Sequence, residues 1–244
     1  MPLAPTMCVY MAGDYAPTRE EILDLAIAVV ALSVGFGMAL VGGLGGIKSF
    51  LTVFPIAFVA ILVSFPLHEY MHKIVAQRYG AVAAFRRSDI GIVLTIATGF
   101  LGFLFGMPGA TVIYTSTFTT KENGIVSLAG PLTNFAIFAI FFAISLIPAV
   151  HASAYLLSAV SLILFINLWL AFFNMLPMYP LDGSKVLRWN MAVYAVTMVA
   201  IVGLLILVAP AIGIPSTALL YDIVIVFVIA LVMSSLYRSV VFRQ

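Results

Sequence analysis

The sequence predicts an all-α polytopic membrane protein of about six transmembrane helices, with a small re-entrant and β-strand element between the second and third. Three observations carry this. The chain of 244 residues is 64% hydrophobic and 8% charged, with a mean hydropathy of +1.22, too little polar surface to cover a soluble globule of this size. Several stretches exceed the roughly 18 to 20 apolar residues that span about 30 Å of hydrocarbon. Between two of them lies a run of β-branched and aromatic residues bounded by turn formers, which a plain helical bundle does not require.

The same numbers exclude other classes. The net charge of +2 comes from scattered residues, with no basic tract to hold nucleic acid; the expected surroundings are a lipid bilayer. Cys8 is the sole cysteine, so neither an intrachain disulfide framework nor a cysteine metal cluster is expected. The opening residues lack a basic region followed by an apolar core, and no cleavable signal peptide is expected. The whole of 1–244 reads as one integral-membrane domain with no appended soluble domain.

In chain order, a polar opening with Asp14, Arg19, Glu20, Glu21 and Asp24 leads into a first span over Leu25–Leu44. Its second half carries Gly35, Gly37, Gly42 and Gly43, which favour close helix packing, with gating as the alternative. A second span runs from Phe50 to Arg78 past Pro55 and Pro66, either of which can kink it. Ile90–Gly106 is apolar but short and glycine-rich, hence the re-entrant reading. The strand-like run is Thr111–Phe118, after Met107-Pro108-Gly109-Ala110. Strand edges cannot face lipid, so this segment is expected in protein, beside a wet cavity or at the interface. It is either a structural hairpin or an edge that pairs with an extended peptide.

Three further spans are expected, over Gly124–Leu146, Ala154–Asn174 and Thr217–Tyr237, and a helical run from Lys185 to Val208. Asn134, within Ala129-Gly130-Pro131-Leu132-Thr133-Asn134, is costly in lipid and should face protein or a cavity. His151 falls in an expected loop after Pro148. Between Asn174 and Lys185, Pro177, Pro180 and Gly183 break the helix and present Asp182 at a defined point. With this topology ten basic residues, Arg19, Lys73, Arg78, Arg86, Arg87, Lys121, Lys185, Arg188, Arg238 and Arg243, fall on one side and Lys48 on the other. The positive-inside rule makes the first side cytoplasmic, with both termini.

The chemistry is concentrated in Leu67-His68-Glu69-Tyr70-Met71-His72. On a helix His68 and His72 share one face, so both imidazoles can bind one zinc ion, and Glu69 beside the first can serve as general base. The pattern occurs by chance in soluble helices, but a polar cluster inside an apolar span is expensive unless it has a purpose. Catalytic zinc takes three protein ligands. The candidates for the third are Glu69, Asp182, Asp89 and Asp222, and Asp182 fits best because helix breakers present it on the same side. Asn134 and Asn174 are candidate donors to a substrate or a developing oxyanion.

With both stretches in view the chain resembles the site-2 protease family of intramembrane zinc metalloproteases, archaeal members above all. The resemblance rests on His68-Glu69-Tyr70-Met71-His72 and on Asn174-x-x-Pro177-x-x-Pro180-x-Asp182-Gly183, which has one residue more between its prolines than the family's shorthand. The Ala129–Asn134 segment and Pro108-Gly109-Ala110 add to it, and it covers roughly 50–190. It implies one zinc ion per chain held by His68, His72 and Asp182, with Glu69 as acid/base. It also implies binding of the substrate as an added strand along Gly109, Ala110, Thr111, Val112, Ile113 and Tyr114, the substrate being a transmembrane segment of another protein. A membrane metal-ion transporter and a catalytically inactive scaffold are the rival readings, neither of which needs a general base at Glu69.

Overall fold

The structure, a computed structural model, describes residues 15–114, 117–212, 214, 215, 217, 219–221, 223, 224, 226–228 and 231. Cys8, Asp14, Thr115, Ser116, Asp222, Arg238, Arg243 and much of the span expected over 217–237 lie outside the described residues. The chain divides into two compact units between Thr117 and Phe118. The expected fold class holds: five described helices are long and apolar enough to cross a membrane, and they accompany a small antiparallel sheet.

The first unit opens with helix α1 (Arg19–Leu40), and Thr18 fixes its start. The Thr18 hydroxyl accepts from the Glu21 backbone N–H at 3.3 Å while Glu21 accepts from the Thr18 N–H at 2.9 Å, a reciprocal cap that satisfies two otherwise orphaned donors. After a short 3₁₀ turn (Gly43–Gly46) comes α2 (Ile47–Arg78), which runs unbroken through Pro55 and Pro66. Its 32 residues extend about 48 Å, well beyond the hydrocarbon thickness of a bilayer. Helix α3 (Asp89–Phe100) is capped by Ser88 and has 12 residues, about 18 Å, too short to cross. That agrees with the short element expected at Ile90–Gly106.

Glycine explains how α3 lies against α1. A Cβ at Gly35 would stand 2.6 Å from the Thr95 carbonyl oxygen, and one at Gly99 would strike the Gly35 backbone. Neither residue can carry a side chain without separating the helices. Packing is therefore what the structure shows at Gly35.

Two strands, β1 (Val82–Arg87) and β2 (Gly109–Tyr114), pair antiparallel with Phe85 opposite Thr111 and Arg87 opposite Gly109. The strand expected over Thr111–Phe118 overlaps β2, which begins two residues earlier at Gly109 and ends at Tyr114, with Thr117 and Phe118 in no strand; β1 was not expected. Val82-Ala83-Ala84-Phe85-Arg86-Arg87 carries only one β-branched residue, and its arginines read as a helix-end charge cluster. The pairing itself turned this segment into a strand, an override of local propensity by tertiary contact.

In the second unit α4 (Thr120–Ser145) packs on α6 (Ala154–Asn174) and on α7 (Asp182–Trp189), and α6 also packs on α8 (Met191–Val208). His151 ends a four-residue helix, α5 (Pro148–His151), in place of the expected loop, and is exposed. The single run expected from Lys185 to Val208 is broken at Asn190, whose backbone is extended at φ −153°, ψ 108°. Its side-chain oxygen accepts from the N–H groups of Ala192 and Val193 at 2.9 and 3.1 Å. Asn190 thus caps α8, the familiar competition of an asparagine side chain with helix continuation. Much of α8 points apolar bulk outward, with Val196 71% and Leu207 74% exposed. A surface of that kind is stable against lipid and not against water.

Candidate metal centre

Residues 68–72 occupy the later half of α2, one helical turn that turns His68, Glu69 and His72 inward. His68 is 1%, His72 6% and Glu69 7% exposed. The four-residue spacing brings the two Nε2 atoms to 3.1 Å, with the rings nearly perpendicular and their centres 4.7 Å apart. Two nitrogens that each stand about 2.0–2.1 Å from a tetrahedral zinc ion are about 3.3 Å apart. The pair therefore already has the bite of a chelate, and its donors suit zinc.

Glu69 is held from the sheet. Its Oε2 accepts from the Thr111 backbone N–H at 2.8 Å and from the Thr111 hydroxyl at 2.9 Å, and that hydroxyl also lies 2.9 Å from the Glu69 carbonyl oxygen. The N–H groups of the Phe85–Thr111 pair both point away from the ladder, as in a non-hydrogen-bonded antiparallel pair. The Phe85 N–H donates at 3.1 Å to Glu21. A two-stranded sheet is thus bracketed by carboxylates, Glu69 of α2 at one edge and Glu21 of α1 at the other.

Glu21 has a second task. The Lys73 ammonium, one residue past His72, donates to both Glu21 carboxylate oxygens at 3.0 Å and to the Ala16 carbonyl at 3.1 Å. Lys73 and Glu21 are each 3% exposed at the side chain, a fully desolvated ion pair. The sequence reading counted Lys73 as a topology-setting charge and missed its partner. The Thr-x-x-Glu pattern at Thr18 signals the cap, but no local pattern signals a partner 52 residues away. A cavity of about 30 Å³ lies against these groups, lined in part by Glu21, Glu69, Lys73 and Thr111. It is about the size that holds one water.

The second unit carries the remaining candidates. Asp182 begins α7 and is 8% exposed, with the Lys185 ammonium 3.9 Å from its Oδ1. The turn before it is held by Met178 N–H to Leu176 O and Leu181 N–H to Met178 O, both 2.8 Å. Gly183 packs so tightly on the carbonyls of Met175 and Leu176 that a Cβ there would collide with both. Asp182 is therefore presented by a rigid turn, as the helix breakers predicted.

Asn134 is wholly buried and donates to the Asn167 side-chain oxygen at 3.0 Å, while Asn167 donates to Ile163 O at 2.8 Å. Asn174 donates to Leu170 O at 3.0 Å. Both candidate amides are engaged inside the unit, and a role toward substrate would compete with those bonds. Asn167, which ties α4 to α6, was not singled out from the sequence.

Comparison with known proteins gives these residues a context. The chain is 37% identical over 187 residues to "Putative zinc metalloprotease MJ0611" of Methanocaldococcus jannaschii, an overlap covering 76% of this chain and 93% of that protein. It is 31% identical to "Putative zinc metalloprotease Rip2" of Mycobacterium tuberculosis, over 62% of this chain and 66% of the relative. With "Zinc metalloprotease MJ0392" of M. jannaschii it shares 30% identity over 54% of this chain and 33% of that protein. No family model matches the chain, and no solved structure matches it.

Proposed function

The chain belongs to the site-2 protease family of zinc metalloproteases, and on that premise we propose that it hydrolyses peptide bonds within or near transmembrane segments of other membrane proteins. Its metal is zinc, the ion in the names of its relatives. The observation that carries the reading is the buried turn of α2, where two imidazoles stand 3.1 Å apart beside a carboxylate, inside a helix apolar enough to cross a bilayer.

In this reading His68 and His72 hold the ion and Asp182 is the third protein ligand. Zinc, when bound, supplies a Lewis acid that polarises the scissile carbonyl and makes water acidic near neutral pH. Glu69 takes the proton from the attacking water and returns it to the leaving amine. Bending the substrate into an extended form exposes amides that a helix keeps internally bonded, and the outer edge of β2 offers them partners. The Thr111 N–H already serves Glu69, so an added strand would draw on Gly109 and Ile113, which share its parity in the register. We take the protein to lie in the cell membrane with its active site and both termini toward the cytoplasm, an orientation that the one-sided distribution of basic residues supports.

Glu69→Gln tests the assignment. We predict that zinc content is kept while cleavage of a single-span test substrate falls by at least about a hundredfold, the scale of a lost acid/base. Wild-type cleavage by the Gln variant would remove Glu69 from the chemistry; a transport reading would be favoured instead by zinc-loaded wild type that cuts no substrate while both proteins carry the ion equally well, since carrying an ion needs no general base.

A further inference from the structure

We propose that Thr111 is the positioning residue for Glu69, fixing where the carboxylate stands as it takes and returns the proton; this rests on the reading of Glu69 as the acid/base. A glutamate on a helix has three side-chain torsions to lose before it can meet a reacting water in one orientation. Two donors from one residue remove that freedom here. The Thr111 N–H and hydroxyl both reach Oε2, at 2.8 and 2.9 Å, which leaves Oε1 outside this clamp as the oxygen to face the water. The hydroxyl also reaches the Glu69 carbonyl oxygen at 2.9 Å, so it engages the side chain and the main chain of the same residue. With a single proton, it serves these two acceptors by sharing or in turn.

The clamp is only as firm as the strand that carries it, and β2 is fixed on both sides. Thr111 lies opposite Phe85, whose N–H is held by Glu21, and Glu21 in turn holds Lys73 on α2. A slip of β2 by one residue would turn Thr111 to the other face of the sheet and break the contact with Glu69. The strand thereby acts as a rigid bracket between α1 and the turn of α2 that carries the candidate acid/base. Nothing local in the sequence marks this role, because Thr111 and Glu69 are 42 residues apart.

The test uses the purified, zinc-loaded full chain in detergent micelles with a single-span test substrate. Thr111→Val deletes the hydroxyl but keeps the shape, the strand propensity and the backbone N–H. A hydrogen bond to a charged group is lost, so kcat should fall about tenfold to a hundredfold. KM and zinc per chain should stay at wild-type values, and Thr111→Ser, which restores the hydroxyl, should recover kcat. In a Glu69→Gln background the Thr111→Val change should add no further loss. Wild-type kcat in the Val variant, with Glu69→Gln inactive, would overturn the inference and leave the assignment of Glu69 standing. So would a loss in the Val variant that Ser does not rescue, or one accompanied by loss of zinc. An active Glu69→Gln protein would instead overturn the assignment of Glu69, and this inference with it.

Discussion

At the scale of single residues, each unit buries polar side chains whose burial is costly unless each has a partner. His68 and His72 face one another at 3.1 Å, and Glu69 has both donors of Thr111. Asp182 is buried at the start of α7, with the Lys185 ammonium 3.9 Å from its Oδ1. As the proposed third ligand it carries a direct prediction. Asp182→Ala should lower zinc affinity by more than about a hundredfold, since even outer partners of metal ligands are worth tenfold to a hundredfold. Competition with a chromophoric chelator measures this, and undiminished affinity would take Asp182 out of the ligand set. The helical pairing of His68 with His72 and the turn before Asp182 were legible because short patterns, a four-residue spacing and a cluster of helix breakers, carry that local geometry. Thr111 and Asn167 were not, because their roles are set by residues 33 to 42 positions away.

Elements are held in place by a few desolvated contacts between distant segments. Glu21 caps α1, accepts the Phe85 N–H of β1 and pairs with Lys73 of α2, so three elements meet on one carboxylate. Removing one partner leaves the other charge buried and alone, a loss of about 3–5 kcal/mol. Lys73→Met and Glu21→Leu should each cost at least that much in thermal unfolding in micelles, and the double variant should cost clearly less than their sum, the cap and the acceptor for the Phe85 N–H still being lost. Independent, additive losses would show that the pair is not coupled. The sequence indicated the helices well because apolar length alone identifies them. It indicated β1 poorly because strand pairing overrode a composition of alanine and arginine, and it merged α7 with α8 because the Asn190 break depends on a capping bond that hydropathy does not record.

For the whole molecule, composition decided the solvent before any motif was read. A chain that is 64% hydrophobic, with exposed apolar side chains along α8 such as Val196 and Leu207, is a membrane protein. Family membership then makes it a metalloprotease by descent. The central claim is that its zinc chemistry cuts a peptide bond in or near a bilayer-spanning segment. Reconstitution of the purified chain into liposomes with a single-span substrate tests this most directly, with the products mapped by mass spectrometry. The expected product is a cut inside or at the border of the apolar segment that stops when a chelator removes the metal and returns when zinc is restored. Zinc-loaded protein that cuts none of a broad panel of such substrates, or cutting that survives complete removal of the metal, would contradict it.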